Sequence, residues 1–190
     1  MVARVIAFPP RPKRRGRRPW KRPDCPIVHL HSDSDALYRR ALRLDECKST
    51  RTLALKLYHE ALRICPADAK TMTNVGNCHH WAGDSRAARE WYEKALAVDP
   101  GQPEAHYNLG YLESEAGFHA AAVQRYRTSI ALDSALSDAY YNLGLSLDSL
   151  GDRVGAEQAF RQYVKLESDG PWADHARRWL GMVKLALVRP

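Results

Sequence analysis

Several things are scarce in this chain of 190 residues. No run approaches the roughly 18 apolar residues that a membrane-spanning helix needs. Catalytic signatures are missing as well. There is no phosphate-cradling glycine loop, no His-Glu-x-x-His, and no serine flanked by glycines at elbow spacing. The four cysteines, Cys25, Cys47, Cys65 and Cys78, have no C-x-x-C spacing. Neither a disulfide framework nor a zinc site is expected from them, and reduced thiols point to the cytoplasm. Val5–Phe8 is a short apolar stretch followed by prolines and arginines, so a secretory leader is not expected.

Acid is absent from residues 1–23, which carry nine of the 29 basic side chains and leave 20 against 22 acids in the rest. A near-neutral body is thus joined to a strongly basic segment. Six of the 11 prolines lie within 1–26, where they block helix formation. Self-repelling arginines extend such a chain further. Residues 1–31 therefore read as a disordered basic tail and linker. The folded domain is expected over 32–190, with Ser32, Asp33 and Ser34 capping its first helix.

What is present is a repeat. Asn74-Val75-Gly76, Asn108-Leu109-Gly110 and Asn142-Leu143-Gly144 are spaced by 34 residues, and three further series keep that step. They are Gly83, Gly117, Gly151; Ala88, Ala122, Ala156; and Tyr92, Tyr126, Phe160. A fixed period of this length signals a helical solenoid. Within 69–102 the pattern predicts a helix near 70–82 ended by Gly83 in a left-handed cap. Asp84 then caps a second helix over 85–98. Gly76, Gly110 and Gly144 fall inside first helices, where glycine costs about 1 kcal/mol against alanine. Close approach of the partner helix, with Ala88, Ala122 and Ala156 facing them and Tyr92, Tyr126 and Phe160 filling the space one turn further on, is the expected compensation.

This pattern resembles the tetratricopeptide repeat. Residues 69–102 carry Val75, Gly76, Ala88, Tyr92, Ala95 and Pro100. Residues 103–136 carry Leu109, Gly110, Ala122 and Tyr126. Residues 137–170 carry Tyr140, Leu143, Gly144, Ala156 and Phe160. A degenerate unit, 35–68, has Leu42 for the glycine but keeps Ala54, Tyr58, Ala61 and Pro66. The resemblance implies an all-α solenoid of about four helical pairs with a C-terminal capping helix over 171–188. That helix has an apolar far end, Met182–Val188. Folding back onto the last repeat and self-association are both open for it.

The resemblance also implies a non-catalytic protein-interaction module, without cofactor or metal. It would bind an extended peptide or partner helix in a groove lined by first helices. The implied lining is Arg39, Arg43, Lys70, Asn74, Asn77, Trp81, Tyr107, Asn108, Tyr111, Asp138, Tyr141 and Asn142. A carboxamide donates and accepts, so Asn74, Asn108 and Asn142 could hold a peptide backbone or simply recur with the repeat. The aromatics could anchor a partner or pack between repeats. The family's carboxylate clamp is rejected, because Thr73, Asp138 and Asn142, or Glu104 and Asn108, stand where cations are required. Cys78-His79-His80 is not read as a metal site, since neighbouring helix positions point about 100° apart.

The tail has its own motif. Arg14, Arg15, Gly16, Arg17 and Arg18, before Pro19, resemble an AT-hook, with an extra arginine between core and proline. The alternative function is therefore a nucleic-acid-associated regulator, tethered by sequence-independent phosphate contacts.

Overall fold

A computed structural model describes residues 28–188, with side chains over 33–182. The basic stretch, with Arg14, Arg15, Gly16, Arg17 and Arg18, lies outside the described residues. Helices α1 (Val28–Asp45), α2 (Arg51–Ile64), α3 (Ala69–Trp81) and α4 (Ser85–Val98) come first. They are followed by α5 (Pro103–Glu115), α6 (His119–Leu132), α7 (Ser137–Ser149), α8 (Arg153–Leu166) and α9 (Pro171–Val188). Among the described residues there is no strand, and no helix is long and apolar enough to cross a membrane. The chain divides into two compact units, one ending at Ala105 and the other beginning at His106.

The helix ends follow the repeat chemistry. Gly83, Gly117 and Gly151 have φ of 85°, 82° and 80°, which is glycine's left-handed region. The carboxylates of Asp84 and Asp152 accept from the backbone N–H groups of Ala87 and Gly155. Each satisfies an N-terminal donor that its own helix cannot. Phe118 occupies the same position before α6, makes no side-chain cap and is 64% exposed.

Two expectations are corrected. Helix α1 begins at Val28, so residues 28–31 belong to it rather than to the linker, and Ser32–Ser34 do not cap it. Ser34 is buried and donates to the Ala61 carbonyl of α2 at 3.2 Å, a packing role its small hydroxyl suits. The internal glycines, second, have the expected rings, and not the alanines, nearest to them. A Cβ on Gly76 would stand 2.4 Å from Tyr92, and one on Gly144 would stand 2.8 Å from Phe160. On Gly110 it would stand 3.0 Å from both Tyr126 and Arg125. The aromatic one turn beyond each small alanine fills the space that glycine leaves.

In the unit ending at Ala105, the degenerate pair α1–α2 is packed in full. Tyr38, Ala41, Ala54, Leu57, Tyr58 and Leu62 share one core with Val75 and Cys78 of α3. The Tyr58 hydroxyl donates to the Asp45 carboxylate inside it, and burial pushes the Cys78 thiol up to about 12. In the unit from His106, α9 packs on α8. Trp179 lies 5.0 Å from Phe160 between ring centroids, and Ala173 and Ala176 are fully buried. Met182 is exposed, and the side chains beyond it lie outside the described residues.

Candidate functional site

In the unit ending at Ala105, Tyr38 on α1 organises the polar residues of α3. The Asn74 carboxamide donates to the Tyr38 hydroxyl at 3.1 Å and accepts from Asn77 at 3.4 Å. Asn77 in turn accepts from the Tyr92 hydroxyl at 2.9 Å. Both asparagines are half-buried, and each is tied to the fold through both its amide nitrogen and its carbonyl oxygen. Lys70 is exposed, with its Nζ 5.7 Å from the Tyr38 ring centroid. Desolvation is the main reason the Tyr38 hydroxyl is held above its usual range, with Asp68, Glu104 and Asp45 adding to it.

Arg39 and Arg43, one turn apart on α1, are both exposed. At the far end of α3, half-buried Trp81 carries the guanidinium of Arg51 over its ring, 4.3 Å from the centroid. The Nε of Arg51 donates to the Asp45 carbonyl at 3.3 Å. Sequence reasoning missed Arg51, because it counted only first-helix positions and Arg51 opens a second helix. An arginine at the start of the second helix of the degenerate unit lies off the groove stripe that the repeat pattern names.

In the unit beginning at His106, the structure withdraws three residues from any solvent-facing surface. Asn142 is 1% exposed and donates to the Tyr107 hydroxyl at 2.9 Å and to the Asp138 carbonyl at 3.2 Å. Tyr141 is fully buried, and its hydroxyl is 3.0 Å from Nδ1 of His175 on α9. Tyr111 is 6% exposed, and its hydroxyl donates to Glu115 at 3.0 Å. The physical reason is shared: a tyrosine needs a partner for its hydroxyl when its ring is buried. Here that partner comes from its own helix or from the first helix of the next repeat. Desolvation holds the Tyr107 hydroxyl well above its usual range. Tyr107, Asn108 and Asp138 are half-buried.

The asparagine series is therefore at least partly a packing device. Asn74 and Asn142 each meet a tyrosine about one repeat earlier, and Tyr141 meets His175, 34 residues further on. Spacing alone could not tell a carboxamide facing a ligand from one facing a tyrosine.

The comparisons with known proteins agree with this architecture. Residues 76–117 match the family model described as "TPR repeat", and residues 137–169 match the one described as "Tetratricopeptide repeat". No curated protein sequence matches the chain significantly. Among solved structures, a crystal structure of MamA is 27% identical, covering 68% of this chain and 74% of its own, with a TM-score of 0.59. PilF of Pseudomonas aeruginosa is 22% identical over 84% of this chain and 72% of its own, with a TM-score of 0.74. The first TPR of Spaghetti (RPAP3), solved bound to the HSP90 peptide SRMEEVD, is 21% identical over 64% of this chain and 97% of its own, with a TM-score of 0.57. At such identities the likeness speaks for the fold, an all-α helical-repeat solenoid. Helix pairs, glycine-ended first helices, ring-on-glycine packing and two matched segments together identify tetratricopeptide-type repeats over 76–117 and 137–169 of this chain.

Proposed function

We propose that the chain is a non-catalytic protein-interaction module that holds an extended peptide or a partner helix against its first helices. The observation that carries this reading is the stripe of α3 formed by exposed Lys70 and half-buried Asn74, Asn77 and Trp81, together with exposed Arg39 and Arg43 on α1. An indole carrying an arginine, as Trp81 carries Arg51, joins two residue types enriched at binding hot spots. A structural neighbour solved with a peptide supports the same use of the fold. Free thiols at Cys47, Cys65 and Cys78 suit a reducing compartment, and a cytoplasmic setting is part of the proposal. The test is affinity capture with the full chain and with a variant lacking residues 1–27. Partners retained by both belong to the repeats. If no protein partner survives the deletion, this reading fails.

The second reading rests on one observation, nine cations and no acid within residues 1–23. On it, the Arg14–Arg18 segment tethers the chain to duplex nucleic acid through phosphate, with affinity that falls steeply as salt rises. Equal affinity of the full chain and the shortened variant for a DNA duplex sinks it.

A further inference from the structure

In the unit beginning at His106, the seam between α5 and α7 holds three hydrogen-bonding groups that are not fully spent. The Asn142 amide nitrogen donates to the Tyr107 hydroxyl and to the Asp138 carbonyl. A carbonyl only accepts, so the nitrogen must face it and the orientation of the carboxamide is fixed. Its Oδ1 then has no partner among the described residues, although Asn142 is 1% exposed. The Tyr107 hydroxyl accepts from that amide, and its own proton goes to no group among the described residues. Ser146 stands one turn further along α7 and is also 1% exposed. Among the described residues its Oγ has no partner either.

Ser146 does not behave as other helix hydroxyls of this unit do. Ser149 and Thr128 fold back onto the carbonyl four residues earlier, at 2.9 Å and 3.0 Å. Such a bond would satisfy Ser146 from within its own helix, and Ser146 does not make it. The step of 34 residues puts Leu44, Cys78 and Leu112 at this place in the earlier repeats. Serine is smaller than leucine by more than the about 30 Å³ that one water takes in the liquid. Tyr107 precedes Asn142 by 35 residues, and Tyr111 precedes Ser146 by the same 35. The Tyr111 hydroxyl, however, reaches along its own helix to Glu115 at 3.0 Å.

Buried polar groups are bonded almost without exception, to protein or to ordered water. An internal water commonly makes about three hydrogen bonds, and three are on offer here. Tyr107 has a proton to give, Asn142 Oδ1 can accept, and the Ser146 hydroxyl can do either. Side chains four apart on a helix stand about 5–6 Å apart at Cβ. Two O–H···O bonds of about 2.8 Å cover that span through a single intervening oxygen.

We propose that this seam is a binding site for one water molecule, held by the Tyr107 hydroxyl, Asn142 Oδ1 and Ser146 Oγ. The water completes the contact between the first helices of two successive repeats, which the direct Asn142–Tyr107 bond leaves with two buried oxygens unsatisfied. Its ligand class is narrow, since the site needs both a donor and an acceptor in the volume of one oxygen. It is independent of what the chain binds elsewhere.

The test uses the full chain. A crystal structure at high resolution is expected to show one ordered water within hydrogen-bonding distance of all three oxygens. In solution, oxygen-17 relaxation dispersion counts long-lived waters, and Ser146→Val, whose branched side chain takes up the site, is expected to hold one fewer than wild type. Ser146→Ala removes one hydrogen bond without adding bulk, so it serves if the valine variant does not fold. Its water is expected to leave at least several times faster. No water bonded to the three oxygens in the crystal overturns the proposal, and so does a Ser146 hydroxyl folded back onto the Asn142 carbonyl. A count of long-lived waters unchanged by Ser146→Val, or a residence time unchanged by Ser146→Ala, overturns it as well.

Discussion

The side-chain amide of Asn142 on α7 donates to the hydroxyl of Tyr107 on α5, one repeat earlier, at 2.9 Å. Asn142 is buried, so loss of that acceptor cannot be made good by bulk water. Tyr107→Phe is expected to destabilise the chain by about 1–2 kcal/mol, near the cost of stranding a buried polar group. Thermal or urea unfolding reads it. Asn74 makes the matching bond to Tyr38 from a half-buried position, so Tyr38→Phe should cost less. The reverse order would show that burial does not set the weight of these bonds.

Glycine at the centre of a first helix makes room for a ring. Gly144→Ala places a Cβ 2.8 Å from Phe160, which is fully buried. The helix gains about 1 kcal/mol in propensity, but overpacking costs typically about 1–3 kcal/mol. Net loss of stability is expected, and a larger loss for Gly76→Ala, where Tyr92 stands at 2.4 Å. A raised thermal midpoint for either variant refutes the packing argument.

Phe118 stands where Asp84 and Asp152 cap, with φ −83° and ψ 57° beside −92°, 75° and −77°, 78° for the two aspartates. The backbone already suits a cap. Phe118→Asp should stabilise by about 1 kcal/mol while removing an exposed ring. Hydrogen exchange in the first turn of α6 should slow. If exchange there is unchanged, the missing cap is not what limits that helix.

His175 lies against Tyr141 and Phe160. Desolvation first, then the Arg178 charge, lowers its pKa, against an opposing pull from Asp148. A histidine with a depressed folded pKa contributes stability that is full above its unfolded pKa of about 6.5. That contribution is lost as pH falls, because the unfolded chain then binds more protons. His59, lowered by desolvation and by His79, acts in the same direction in the other unit. Unfolding midpoints should drop between neutral pH and mildly acid pH, and His175→Asn should reduce the drop. An identical pH profile for the variant removes His175 as a contributor.

Much of the fold was legible because each repeat places its own stop signals. Gly83, Gly117 and Gly151 ended helices where the pattern put them, and Asp84 capped where it was expected. The start of α1 was misread, since Ser32 and Ser34 have the small hydroxyls of caps, yet Ser34 spends its hydroxyl on Ala61. The binding face was legible only in part. Periodicity names the positions on a first-helix stripe, but Arg51 reaches that stripe from a second helix. Tyr111, Tyr141 and Asn142 were drawn inward by hydrogen bonds whose partners lie four, 34 and 35 residues away.

The rings seated on the glycines have a consequence in time. Tyr92 and Tyr126 are pinned by their hydroxyls to Asn77 and Ser114 as well as by contact. A half-turn of such a ring sweeps a volume that a close-packed hairpin does not hold. It must wait until the two helices part. The flip rate of each ring, read from the exchange between its two edges by magnetic resonance, is therefore a clock for the opening of that one helix pair. Three rings, Tyr92, Tyr126 and Phe160, let the breathing of three successive hairpins be timed separately in one molecule.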